Sequence, residues 1–180
     1  AEEINVREIL DKYLAGEIDL ICVLGPTASG KTRYAVRLAR QINALLQEIP
    51  GRAGDDVIAG STGNPASRTE IISADSRQVY LGMDIGTGKD LAEYEEIPYH
   101  LMDIVDAGEK YNIFEYQRDF EKAYRDIRDR GCIPILCGGS GLYIGRGAAL
   151  PLAPLLCSPR FRLASSATGG ASAPRPIDVP

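Results

Sequence analysis

Residues 25–32 read Gly-Pro-Thr-Ala-Ser-Gly-Lys-Thr, the G-x-x-x-x-G-K-T spacing of a phosphate loop. Such a loop holds a di- or triphosphate. The backbone N–H groups of Gly25, Pro26, Thr27, Ala28, Ser29 and Gly30 (proline excepted) surround it, and the helix that follows adds partial positive charge. Lys31 neutralises phosphate oxygens, and the Thr32 hydroxyl is the expected Mg²⁺ ligand. The second chemistry-bearing residue is Asp75, in Ile-Ile-Ser-Ala-Asp-Ser-Arg-Gln-Val-Tyr (71–80). An acid at the carboxyl end of a parallel strand beside a phosphate loop faces the ligand crevice. Three roles are open to it: holding Mg²⁺ through water, taking a proton as general base, or capping a turn. The stretch Ile133–Cys137 ends in glycine, not aspartate, and Asp103 supplies no clear second metal acid. That pattern favours group transfer over a motor or switch ATPase.

The flanks supply the elements that place these residues. Ile18–Leu24 is an apolar run of buried-strand length, and Tyr34, Ala35, Leu38, Ala39, Ile42 and Leu45 recur at helical spacing to about Leu46. Ile4, Ile9, Leu10, Tyr13 and Leu14 predict an amphipathic helix ending at Gly16. Further strands are expected at Glu70–Ala74, Tyr99–Val105 and Ile133–Cys137. Asn112 with Glu115 forms a capping box that opens a helix to Arg130, with Ile113, Tyr116, Phe120, Ala123, Tyr124 and Ile127 on its apolar face. Tyr111, Phe114, Tyr116, Phe120 and Tyr124 read as helix core rather than as a base-stacking platform. Alternating strands and helices predict an α/β fold, a P-loop NTPase-like parallel sheet flanked by helices. Residues 47–69 are rich in Gly, Pro, Ser, Thr, Asn and Asp and read as an exposed loop. The core is therefore expected over 1–144. Residues 145–180, where Asp178 is the only acid and no helical or strand period persists, are expected as a low-complexity or disordered tail.

Composition narrows the class. The 180 residues are 44% hydrophobic and 25% charged, which suits a globular domain with a real core. No apolar run approaches membrane-span length, and the acidic start lacks a secretion signal's apolar core, so a cytoplasmic protein without membrane contact is expected. The four cysteines form no C-x-x-C pair and read as structural thiols rather than a zinc site. A net charge of −5 argues against a broad nucleic-acid surface, though not against a local basic patch. Arg33, Arg37 and Arg40 form a basic stripe that reads as ordinary surface.

Five segments in order, 25–32, 72–80, 82–89 (Gly-Met-Asp-Ile-Gly-Thr-Gly-Lys), 99–104 (Tyr-His-Leu-Met-Asp-Ile) and 134–143 (Pro-Ile-Leu-Cys-Gly-Gly-Ser-Gly-Leu-Tyr), closely resemble the tRNA dimethylallyltransferase family. The resemblance covers roughly 18–144, with 47–69 as an insertion. It implies that the loop holds the diphosphate of dimethylallyl diphosphate. It also implies that Mg²⁺ assists and that the group passes to N6 of an adenosine beside the tRNA anticodon. On this reading Asp75 is the general base, and Ser76, Arg77 and Gln78 match the family's adenosine-contacting segment. Ser140 is the second catalytic position and keeps a hydroxyl where the family usually has Thr. The target base must leave its stack to reach Asp75. His100 matches a family histidine but equally suits a packed residue. Tyr99 stands where many members have another His. Lys89 is open between contact with phosphate or RNA and a solvated loop lysine.

The family's anticodon-gripping helical insertion, and its later arginine near the diphosphate, are not recognisable in 145–180. The chain is thus expected to look truncated at its C-terminus, to bind diphosphate and Mg²⁺ as a monomer, and to transfer the group to tRNA poorly. Alternatives are prenyl transfer to free AMP, ADP or ATP, a P-loop small-molecule kinase, and a diphosphate-binding remnant.

Overall fold

Alternation along each strand decides how the molecule is layered. In a computed structural model the described residues are 5–25, 29–49, 69–83, 89 and 91–138, with the backbone of 163–165. They run α1 (Val6–Leu14), β1 (Leu20–Leu24), α2 (Lys31–Gln47), β2 (Thr69–Ser73), a single 3₁₀ turn (Leu91–Glu93), β3 (Tyr99–His100), α3 (Ile113–Asp129), β4 (Ile133–Gly138) and β5 (Leu163–Ser165). The strands form one parallel sheet of order β3-β2-β4-β1-β5. Both faces of its centre are buried, as parallel sheets require. Ile21, Val23, Ile71, Ile135 and Cys137 pack with α1 and α2, whereas Leu20, Cys22, Ile72 and Leu136 pack with α3.

Helix α2 buries Ala35, Val36, Leu38, Ala39, Ile42 and Leu46, a stripe at helical spacing. Each of its large aliphatic residues contributes roughly 1.5–3 kcal/mol by leaving water. Helix α3 opens with the expected box: Asn112 Oδ1 accepts from the N–H groups of Phe114 and Glu115, and the Asn112 N–H donates to Glu115 Oε2 at 2.7 Å. Tyr116 and Phe120 are fully buried, and the Tyr116 hydroxyl donates to the Ser73 carbonyl at 2.9 Å. Phe114 departs from the core assignment and is 72% exposed. Two residues before Tyr116 on a helix of 3.6 residues per turn, it lies on the opposite face.

Two sequence expectations change. The strand foreseen over Tyr99–Val105 stops at His100, because Leu101 and Asp103 adopt left-handed backbone (φ 62° and 52°). The chain then returns as an isolated bridge, Tyr80 to Val105. In the segment with no strand period, Leu163–Ser165 pairs with Leu20–Cys22 of β1. A three-residue strand is too short to leave a periodic signature. The loop 47–69 lies almost wholly outside the described residues, as does the rest of 145–180. No helix among the described residues is long and apolar enough to cross a membrane.

One ionic cluster ties the layers together. Glu70 of β2 is buried, takes both guanidinium arms of Arg130 after α3, and meets His100 Nε2 at 2.6 Å. Arg130 also pairs with Asp126 at 2.9 Å. His100 is thus a packed residue bound to Glu70. Burial pushes the Glu70 carboxyl up, but the hydrogen bonds from Arg130 and His100 outweigh it and hold it at about 2, against an ordinary 4.5. A carboxyl lowered by folding stabilises the fold above its unfolded value and loses that contribution as pH falls toward the folded one. Denaturant unfolding should show stability declining between about pH 4.5 and 2. Glu70→Gln should flatten that decline and cost on the order of 3 kcal/mol at pH 7 by leaving Arg130 half-paired.

Candidate functional site

The site lies where β1, β2 and β4 end side by side. Strand β1 runs to Leu24 and feeds the phosphate loop, of which Gly25, Ser29, Gly30, Lys31 and Thr32 are described. Pro26, Thr27 and Ala28 lie outside the described residues, as does Ser140. Gly30 closes the loop at φ 77°, a backbone that side-chain-bearing residues rarely adopt, and α2 begins at the next residue. Lys31 and Thr32 therefore occupy the first turn of a 17-residue helix, where free N–H groups and the helix dipole favour an anion. A cleft of about 260 Å³ opens against the loop, lined by Val23, Leu24, Ser29, Gly30, Lys31, Arg33, Tyr34 and Arg37. Arg33 pairs with Glu93 at 3.3 Å and Arg40 with Glu96 at 2.9 Å. The basic stripe is therefore partly neutralised, yet Arg33 and Arg37 border the cleft.

Asp75 arrives from β2. The pairing of β2 with β4 continues one residue past the strand, with the Ala74 N–H donating to the Cys137 carbonyl at 2.8 Å. Asp75 then opens a tight turn. Its Oδ1 accepts the Arg77 N–H at 3.0 Å, and its carbonyl accepts the Gln78 N–H at 3.1 Å. The Arg77 guanidinium lies 3.4 Å from both carboxylate oxygens, and the Asp75 side chain is 24% exposed. The turn-capping geometry is thus real, and it presents the carboxylate to solvent rather than burying it. Of the neighbouring positions, Ser76 is half-buried and Arg77 exposed, whereas Gln78 turns inward and its Oε1 accepts from the buried Ser73 hydroxyl at 2.7 Å.

One residue that the motif reading passed over lies under all of this. Cys137, the penultimate residue of β4, is buried, and burial pushes its thiol up to about 12. The charge of Lys31 and a hydrogen bond with Thr32 pull it down, and the charge of Asp75 pushes it up. Cys137 stands in register with Val23 of β1 and Ser73 of β2, between the strand ends that lead to the two motifs. The signal available in the sequence was only its place, last before a glycine run. Thr32 also hydrogen-bonds Tyr94, a buried phenol whose ionisation is strongly disfavoured by burial. Among the described residues no cluster of three or more His, Cys, Asp and Glu has metal-ligating form.

Lys89 corrects the sequence reading. Its side chain is fully buried; Nζ donates to the Tyr80 carbonyl at 2.7 Å and to Asp103 Oδ1 at 2.5 Å. It is neither a solvated loop lysine nor open to phosphate.

Residues 78–150 match the sequence profile of the family described as IPP transferase. The chain is 52% identical over 132 residues to "tRNA dimethylallyltransferase 2" of Bacteroides fragilis, spanning 71% of this chain and 35% of that protein. It is also 52% identical over 130 residues to "tRNA dimethylallyltransferase 1" of Parabacteroides distasonis, spanning 70% and 34%. Among solved structures, the full-length tRNA isopentenylpyrophosphate transferase of Bacillus halodurans aligns with a TM-score of 0.53 at 36% identity, covering 69% of this chain and 33% of the other. The Staphylococcus epidermidis tRNA isopentenylpyrophosphate transferase aligns with the same TM-score at 39% identity. The chain spans about a third of the length of the relatives it matches.

Two outcomes test the geometry. A Cβ at Gly138 would sit 2.5 Å from Ala74 Cβ and 2.8 Å from the Ala74 carbonyl oxygen. Gly138→Ala should therefore force β2 and β4 apart where Asp75 emerges, lowering stability in chemical denaturation by about 1–3 kcal/mol. In native protein at pH 8, a brief iodoacetamide pulse read by mass spectrometry should label the half-buried Cys132 while sparing Cys22 and Cys137. Both of these are buried with thiols at about 12.

Proposed function

This chain belongs to the tRNA dimethylallyltransferase family, and from that premise we propose that its site transfers a dimethylallyl group from dimethylallyl diphosphate to N6 of an adenosine next to a tRNA anticodon. The observation that carries the reading is that β4, paired with both β1 and β2, brings the strand end that feeds the phosphate loop and the strand end that leads to Asp75 to one edge of the sheet. On this reading the loop N–H groups and Lys31 would hold the diphosphate, and Asp75, at a neighbouring strand end and with its side chain 24% exposed, would meet the acceptor. The N6 lone pair forms a bond to the allylic carbon as that carbon's bond to the diphosphate oxygen breaks. The electrons leave with diphosphate, and the amine proton passes to Asp75. The adenine amine is a weak nucleophile because its lone pair is delocalised, so a positioned base is worth ~10²–10⁴-fold. Lys31 and the loop dipoles stabilise the negative charge that grows on the leaving group.

The donors at the loop are hard oxygens, which suits Mg²⁺. Thr32 would hold it, and it would supply charge neutralisation for the leaving diphosphate. Arg77, exposed beside Asp75, supports contact with the acceptor's sugar or phosphate, and Ser76 lies at the same turn. Gln78 serves that turn from below through Ser73. Ser140 follows β4 by two residues and takes the role of a hydroxyl donor to substrate. The free-nucleotide alternative shares every one of these parts and differs only in acceptor.

The test is nucleoside mass analysis after incubation with Mg²⁺, dimethylallyl diphosphate and either unmodified tRNA or AMP. A dimethylallyl-adenosine mass from tRNA is the expected result. Gain on AMP alone would move the assignment to free nucleotides, and tighter binding of ATP than of dimethylallyl diphosphate would sink it in favour of a kinase. Asp75→Ala should lower turnover ~10²–10⁴-fold while leaving pyrophosphate affinity in place. Lys31→Ala should weaken pyrophosphate binding itself, read by calorimetry.

A further inference from the structure

We propose that Lys89 is a positioning residue for the Asp75–Gln78 turn, clamping its exit through Asp103 and the Tyr80 carbonyl. The inference deepens the prenyl-transfer reading and rests on it for its meaning, though not for its geometry. After the turn, residues 78–81 run beside 103–105 outside the regular sheet. The Asp103 N–H donates to the Gln78 carbonyl at 3.0 Å, the Ile104 and Val105 N–H groups to the Val79 carbonyl at 2.8 and 3.0 Å, and the Leu81 N–H to the Val105 carbonyl at 2.8 Å. Lys89 closes this short ladder into a ring. Asp103 holds Gln78 with its N–H and Lys89 with its carboxylate, while Lys89 holds Tyr80 with its ammonium. Both flanks of Val79 are therefore tied to one buried cation.

Two features mark this as more than ordinary packing. A lysine side chain with 0% exposure loses the hydration of its charge, and only close partners offset that loss. The partner strand is also bent, since Leu101 and Asp103 both take left-handed backbone that residues with a Cβ avoid. Such strain persists only where the surroundings over-determine it. Here the Lys89–Asp103 pair is the over-determining contact. What the strained path accomplishes is to set Asp103 against Gln78, the last residue of the turn that carries Asp75. The described part of the phosphate loop, by contrast, continues β1 and opens α2.

The clamp thus predicts a selective defect. In Lys89→Met, which keeps the stem and removes the charge, amide hydrogen exchange should accelerate at Leu81, Asp103, Ile104 and Val105. Amides of β1, β4 and α2 should keep wild-type protection, and pyrophosphate affinity should be unchanged. Prenyl-transfer kcat should fall about 10²-fold, the cost of a misplacement near 1 Å, with KM for dimethylallyl diphosphate unaltered. Asp103→Asn, which keeps the shape and weakens the pair, should show the same pattern in milder form, and it answers the question if Lys89→Met does not fold. Wild-type protection at those four amides in both variants would overturn the clamp. So would a loss of pyrophosphate affinity and core protection in step with turnover, which would make Lys89 a general stabiliser. Absence of turnover in the wild type on either acceptor would sink the prenyl-transfer reading, while the exchange comparison would still decide the clamp.

Discussion

The close approach of β2 and β4 beyond Ser73 is the constraint on which the site depends. Strand β4 lies between β1 and β2, so the loop that follows β1 and the acid that follows β2 never touch through their own strands. They are brought to one edge of the sheet because β4 is paired with both and ends without a side chain at Gly138, where Ala74 already fills the space a Cβ would need. The Ala74–Cys137 hydrogen bond extends that pairing to the residue before Asp75. Lys31, Thr32 and Asp75 can then share the neighbourhood of one thiol. This is the crevice at the carboxyl ends of parallel strands that open α/β sheets reuse for ligands.

Below that edge the sheet is an ordinary two-sided core, and two of its buried polar residues are charged. Glu70 and Lys89 are both buried and both held by opposite charge. Glu70 joins β2 to β3 and to the end of α3, so it fixes how the α3 layer sits on the sheet. Lys89 joins the segment after the Asp75 turn to the strained stretch after β3. A buried charge is costly when unpaired, which makes each of these a strong constraint on geometry even where its net contribution to stability is small. The Ser73–Gln78 bond and the Tyr116 hydroxyl on the Ser73 carbonyl complete the support beneath the turn. The phosphate loop needs less, because helix geometry alone aims its N–H groups.

This division suits the transfer proposed for the site. Holding a diphosphate calls for many weak donors arranged by backbone, and α2 provides them wherever it starts. In the proposed reaction, taking a proton from an adenine amine calls for one carboxylate at a defined place, and the Asp75 turn is held by contacts from β2, β4 and the 103–105 segment. The two parts are structurally separate, and β4 is the strand that pairs with both β1 and β2 beneath them.

The phosphate loop, the Asn112 capping box and the hydrophobic periods of α2 and α3 were determined by the sequence alone, because each depends on residues within one or two turns of one another. Asp75 was legible for the same reason: a strand-end acid is a local pattern. The strand order, with β4 between β1 and β2, was decided only by tertiary structure, as was the three-residue strand β5. So were the fates of four residues: Lys89 buried against Asp103, His100 bound to Glu70, Gln78 turned inward, and Phe114 left exposed. None of these is written in spacing, because each is fixed by a partner or a layer that pairing across the sheet brings near. Cys137 is the clearest instance. In the chain it is an apolar residue before a glycine, and only strand pairing sets it beside both Val23 and Ser73, between the ends of two strands whose motifs lie more than forty residues apart.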